Sequence, residues 1–289
     1  MVHLVFSILS TTSILIIFKT IEKLKIDMFQ VIIINYAIAF SLGLFLNRNS
    51  GTFNGFEFSK APWIYLSILI GVCLIAMFFI IGISTQKAGI SATTISSRIS
   101  VVIPMLFSIF YYNETINPAK TLGIILAIAG LFCVVLKKQG KGFNKYHFYL
   151  PVILFMGMGI LDAILKFVQH EYISKGDSAG FTGASFFFAF ISGIIICLFK
   201  QVSIHDFFKK NVLFAGILLG ICNFGSMFFL INALNSNIFD SSILFGINSI
   251  AIVCISLFSA YIFFKERLSA LNWIGVSLSI AAITLFINA

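Results

Sequence analysis

Apolar residues along this chain come in long unbroken runs, not in alternation. Ten runs fall near residues 2–18, 28–46, 62–83, 91–111, 118–136, 148–167, 181–199, 212–234, 239–264 and 271–287. A helix needs ~20 mostly apolar residues, at about 1.5 Å each, to cross a bilayer, and the runs approach or meet that length. Strands are excluded, because membrane strands alternate and are shorter. Polar residues gather in brief connectors such as Asn113–Asn117 and Asn235–Ile238, short enough to make neighbouring helices antiparallel. The pattern predicts an all-α integral membrane protein with ten transmembrane helices.

The runs also repeat. A shift of 152 residues carries Glu114 onto Glu266 and Gly123 onto Gly275, with Val101 and Ile103 falling on Val253 and Ile255. The shared glutamate and glycine are informative; aliphatic matches alone are cheap in so apolar a chain. A fixed offset of this kind marks an internal duplication. The basic, glycine-bearing stretch Lys137–Lys145 lies near the middle of the chain. It divides the sequence into a first five-helix repeat, 1–137, a linker, 138–146, and a second repeat, 147–289. Five is odd, so the second copy must enter the membrane in the opposite sense. The predicted architecture is therefore two inverted repeats.

Composition strengthens this picture. The chain of 289 residues is 60% hydrophobic and 10% charged, against about 25% charged in soluble domains. A single soluble globule cannot hide that much apolar surface. The formal net charge of +9 does not indicate nucleic acid, since the lysines are spread between apolar runs where they can meet lipid headgroups. One set of connectors holds thirteen basic residues and the opposite set five, with Arg98 inside a span. The positive-inside rule puts the richer set in the cytoplasm and both termini outside. Cys73, Cys133, Cys197, Cys222 and Cys254 lie within apolar runs without a CxxC, and the four histidines are scattered near run ends. Neither a disulfide framework nor a metal site is expected. The first run has no basic residues before it and no obvious cleavage site, and reads as a retained helix.

The arrangement resembles the drug/metabolite transporter superfamily, and within it the EamA-type ten-helix transporters. The residues that carry the likeness are Pro104, Phe110-Tyr111-Tyr112-Asn113-Glu114 and Leu122-Gly123 to Gly130 in the first half. In the second half they are Phe263-Phe264-Lys265-Glu266-Arg267 and Gly275 to Ala282. The second half departs from the pattern in having Ser256 opposite Pro104 and Ala282 opposite Gly130. The resemblance implies a secondary transporter working by alternating access, its cavity lined by the first four spans of each half. It implies export of amino acids, related metabolites or drugs, with sugar or nucleotide-sugar exchange as another possibility in the superfamily. It also implies cytoplasmic termini, against the lysine count.

Polar groups inside spans are expensive and serve as default functional candidates. Arg98 falls near the middle of the fourth span with Thr94 one turn before it; a guanidinium there can grip a carboxylate or phosphate through two parallel hydrogen bonds. The competing reading is an arginine that snorkels or caps carbonyls. Asn35 and Tyr36, Asn223, and Asn248 fall at mid-span on the second, eighth and ninth runs. Such groups bind substrate in inverted-repeat transporters, or else glue helices together. Asp162 and Lys166, four apart near the end of the sixth run, share a face and suit a gate, or a proton-coupling carboxylate, or an interfacial pair of little energetic weight. Arg98 and Asp162 are expected at different depths, which argues against a direct ion pair. Asn232, Asn235 and Asp240 read as helix caps, and the corner glutamates Glu114 and Glu266 as structural acceptors of backbone N–H groups. Phe78, Phe79, Phe228 and Phe229 suit an apolar cavity wall, and Gly216-x-x-x-Gly220 a close helix crossing.

No HExxH, GxSxG or P-loop sequence is present. The expected function is a secondary active transporter, not an enzyme and without a cofactor. It would sit in the inner (plasma) membrane and move a small metabolite such as an amino acid. Its partners would be that substrate, membrane lipids and a proton or other coupling ion, and it would act as monomer or homodimer. A multi-span enzyme acting on a lipid is the alternative.

Overall fold

A computed structural model describes residues 1–46, 62–111, 118–135, 146–173, 178–200, 203–236, 241–265 and 270–287. The Glu114 and Glu266 corners, Asp240 and most of the 138–146 linker lie outside these residues. All regular structure described is helical: α1 (Val2–Lys23), α2 (Met28–Leu46), α3 (Ile64–Lys87), α4 (Ile90–Ile99), α5 (Val102–Tyr111), α6 (Pro118–Val135), α7 (Tyr146–Tyr172), α8 (Ser178–Lys200), α9 (Ile204–Phe207), α10 (Lys210–Asn235), α11 (Ser241–Phe264) and α12 (Ala270–Ile287). Among the described residues, seven helices are each long and apolar enough to cross a membrane. Large apolar side chains also cover outer faces: Tyr65, Phe199, Phe214 and Phe258 are each exposed. Water does not tolerate such a surface, whereas hydrocarbon does. The protein is a multi-span α-helical membrane protein.

The chain divides into two units, Met1–Phe79 with Ile164–Ser236, and Ile80–Ala163 with Asn237–Ala289. In the first, α10 packs on both α1 and α2, and α2 also packs on α8. The α2–α10 crossing rests on Gly216 and Gly220. A Cβ on Gly220 would lie 2.7 Å from Ile38 Cβ and 2.8 Å from the Asn35 carbonyl oxygen. With little hydrophobic force between helices in lipid, association relies on such backbone proximity. The tandem glycines thus make the contact their spacing predicts. In the second unit α6 packs along α12, and α4 and α12 pack on α11.

Hydroxyls inside the apolar helices mostly bond their own backbone. Thr11 donates to the Ser7 carbonyl at 2.9 Å, Ser41 to Ala37 at 2.8 Å and Ser185 to Phe181 at 3.0 Å. This satisfies a polar group without help from a neighbour. Asn232 and Asn235, expected as caps, tie helices together instead. Asn232 Oδ1 accepts from Ser178 Oγ at 3.1 Å, and Asn235 Oδ1 accepts from Gln169 Nε2 at 3.1 Å. The reason is that α10 runs through Asn235, so both residues lie on the helix and not in a turn.

Candidate functional site

The run at 91–111, expected as one helix, is two. Backbone helicity stops at Ser100–Val101, between α4 and α5. Pro104 is the physical cause: it has no N–H to give the Ser100 carbonyl, and its ring crowds that oxygen. The Ser100 carbonyl accepts from the Ile103 N–H instead, at 2.9 Å, and Val101 N–H turns back to Arg98 at 3.3 Å. At the matching place in the second half stands Ser256, and α11 runs unbroken.

The break moves Arg98 from the middle of a helix to the last turn of α4. There the dipole of a half-helix favours a cation. Arg98 is half-buried, while every other residue of α4 is buried. Its Nε is buried without a hydrogen-bond partner, and its guanidinium makes no ion pair among the described residues. Asp162 of α7 is the charge that acts on it, and Arg98 acts on Asp162 in return. They do so through space and not through a hydrogen bond. α7 reaches this neighbourhood because Gly159, one turn before Asp162, lets Ile103 of α5 press against the helix backbone. Asn248 of α11 is buried with Oδ1 unpartnered, as is Ser96 Oγ on α4. Thr94 spends its hydroxyl on the Ile90 carbonyl, at 2.9 Å, leaving only its lone pairs for other use.

In the first unit, Tyr36 is fully buried between Phe78 and Phe186, at ring separations of 5.6 and 5.9 Å. Phe186 continues to Phe224, and Phe224 to Phe228. Within this aromatic packing the Tyr36 hydroxyl and the Asn223 amide are neighbours, but neither Tyr36 Oη nor Asn223 Nδ2 completes a hydrogen bond. Asn35 gives its amide N–H to the Ile32 carbonyl of its own helix at 3.3 Å and keeps Oδ1 unpartnered. Thr12 and Thr182, not singled out from sequence, are orphaned in the same way. Only the deviation from back-bonding marks them, and residue type does not reveal it. Each such orphan costs about 1–3 kcal/mol, and native proteins keep few. Tyr36→Phe is therefore expected to leave the ligand-free protein as stable or about 1 kcal/mol more stable, read as thermal unfolding in detergent.

The expected mid-span residues thus belong to two groups. Asn35, Tyr36 and Asn223 lie in the first unit; Thr94, Arg98, Asn248 and Asp162 lie in the second. Among the described residues, none of the three asparagines hydrogen-bonds its helix to another through its side chain. Lys166 is half-buried one turn beyond Asp162, and α7 continues to Tyr172, so it is not at the helix end as the run length had implied. A double-mutant cycle of Arg98→Gln and Asp162→Asn measures the Arg98–Asp162 coupling. With no hydrogen bond between them, a coupling of about 1 kcal/mol is expected in unfolding free energy, short of the ~3 kcal/mol at the top of the range for residues in direct contact.

No family model matches the chain. It is similar to an uncharacterized protein of Haemophilus influenzae, with 29% identity over 290 residues, covering 97% of this chain and 96% of that protein. It is also similar in structure to a protein of known crystal structure, with a TM-score of 0.66 at 15% identity, covering 98% of this chain and 94% of that one. That likeness shows a shared fold.

Proposed function

We propose that the protein is a secondary transporter of the drug/metabolite type, exporting or exchanging a small metabolite with an anionic group, such as an amino acid, across the inner (plasma) membrane. The observation that carries this reading is the interrupted fourth span with Arg98 at its broken end. Irregular backbone at membrane depth is tolerated where it is buried in protein or lines a cavity. Transporters use such half-helix ends to bind substrates and ions. A half-buried guanidinium with no acceptor among the described residues is suited to a carboxylate, through two parallel hydrogen bonds. Asp162, within the field of Arg98, is the first candidate for proton coupling. Within the first unit, Tyr36, Asn35 and Asn223 hold unpartnered neutral groups of the kind that bind polar solutes.

The ten-span, inverted-repeat reading draws support from helix bounds and packing. Adding 152 to 118 and 135, the bounds of α6, gives 270 and 287, those of α12. By the same shift α2 answers to α8, and α4 to the start of α11. In each case the two counterparts pack against one another, as elements near a two-fold axis do.

The test is reconstitution. Purified protein in proteoliposomes is expected to accumulate a labelled amino acid or related anion when an ion gradient or a trans substrate is imposed. A thermal-shift screen of amino acids, nucleosides and sugars chooses the label, since a ligand of the folded state raises its stability. Chemical conversion of a lipid by the purified protein, with no vesicular uptake of any screened ligand, would decide for the membrane enzyme.

A further inference from the structure

A cleft of about 580 Å³ opens at one end of the first unit, where α1 turns into α2 and where α9 meets α10. Its walls include Lys25, Asp27, Gln30, Asp206, Lys209 and Lys210. Both carboxylates are engaged. Asp27 Oδ1 caps α2, accepting the N–H groups of Phe29 at 2.8 Å and Gln30 at 3.4 Å. Asp206 holds Lys209 at 2.8 Å. Lys25 and Lys210 are exposed and unpaired among the described residues.

Two further features make this a built site and not a patch of surface lysines. Gln30 is only 6% exposed, lines the cleft, and makes no side-chain hydrogen bond among the described residues. An amide with no partner in the protein is left to bond whatever fills the cleft. The start of α10 also lines the cleft: Lys210 and Asn211 precede the first helical bonds, which Val212 and Leu213 send to the Lys209 carbonyl. Their N–H groups are free to meet an anion, and the helix dipole favours one. Lys25 is held in place by the turn itself. It has φ 53°, and the N–H groups of Lys25 and Ile26 close on the carbonyls of Glu22 and Ile21 at 3.0 Å each, the pattern of a Schellman cap.

The ligand chemistry is a phosphate-bearing anion. The rim favours a lipid as its source, because Leu24 and Phe208, beside the lysines, are 61% and 67% exposed. Apolar side chains next to lysines at a span end match the acyl–headgroup boundary. We propose that this cleft binds the headgroup phosphate of an anionic phospholipid, with Lys25 and Lys210 as charge partners, Gln30 as hydrogen-bond donor and the α10 N-terminus as anion acceptor site.

The test is native mass spectrometry of the delipidated full chain titrated with phosphatidylglycerol, with phosphatidylcholine as neutral control. A saturable phosphatidylglycerol adduct is expected, weakened about 25-fold in Lys25→Gln/Lys210→Gln, or about fivefold per lysine. Gln30→Leu, which leaves the charge unchanged, is expected to weaken it about tenfold and decides alone if the double variant does not fold. Lys23→Gln, on a lysine at the same end but outside the cleft, is expected to leave binding unchanged. Equal weakening in Lys23→Gln, or equal binding of phosphatidylcholine, would overturn the cleft as a site. Displacement of the lipid by equimolar inorganic phosphate or glycerol phosphate would overturn its assignment to lipid.

Discussion

Arg98→Ala is expected to reduce transport in proteoliposomes by about 30-fold or more, while the protein remains folded. The loss follows from removing a charged, bidentate partner at a desolvated site, which costs about 2–5 kcal/mol, and each 1.4 kcal/mol is about tenfold. Folding is spared because the guanidinium makes no hydrogen bond or ion pair among the described residues; only its long-range action on Asp162 is lost. Arg98→Lys keeps the charge but not the planar fork, and should retain about a tenth of the activity. Thermal unfolding in detergent checks the fold, and initial uptake rates check the function. Uptake at the normal rate in Arg98→Ala would remove this residue from the substrate path.

Gly220→Leu should strongly destabilise the first unit. The new Cβ would meet the Ile38 side chain and the Asn35 carbonyl, and the second contact is backbone that cannot swing aside. α2 and α10 must separate, at a cost of about 3 kcal/mol, and the Tyr36–Asn223 neighbourhood across that crossing is lost with it. Leu218→Ala is the control, since Leu218 is 39% exposed on an outer face; it should change the melting temperature little.

What could be read in the sequence follows the physics of each signal. Apolar runs located the long helices because lipid demands them, and Gly216-x-x-x-Gly220 announced a crossing because only missing side chains permit one. Helix ends were less legible. α7 continues through Gln169, His170 and Glu171 to Tyr172, residues too polar to extend an apolar run yet able to continue a helix. α9 was missed because four residues, Ile204–Phe207, give no periodicity to detect. The break before Pro104 carried a visible cause, but the residue stood out as part of a family pattern and not as the missing N–H that unhooks Ser100. At the site, polar residues in spans were easy to find and hard to rank. Thr94 and Thr182 look alike in sequence, but Thr94 is bonded to its own helix and Thr182 is not.

On the proposed ten-span topology, the division of the fourth span into α4 and α5 also bears on how the chain is made. α4 and α5 have 10 residues each, hence about 15 Å apiece against a hydrocarbon core of about 30 Å, so neither half is an insertion unit. On that topology the segment leaves the translocon whole, carrying a proline and an arginine that insertion scales penalise. Its partition into the bilayer then depends on helices already there. A glycosylation-mapping reporter bearing residues 88–112 alone is expected to insert poorly, and to recover when the preceding three spans are restored. Biogenesis would be the first step to fail in variants that add a second charge to this segment.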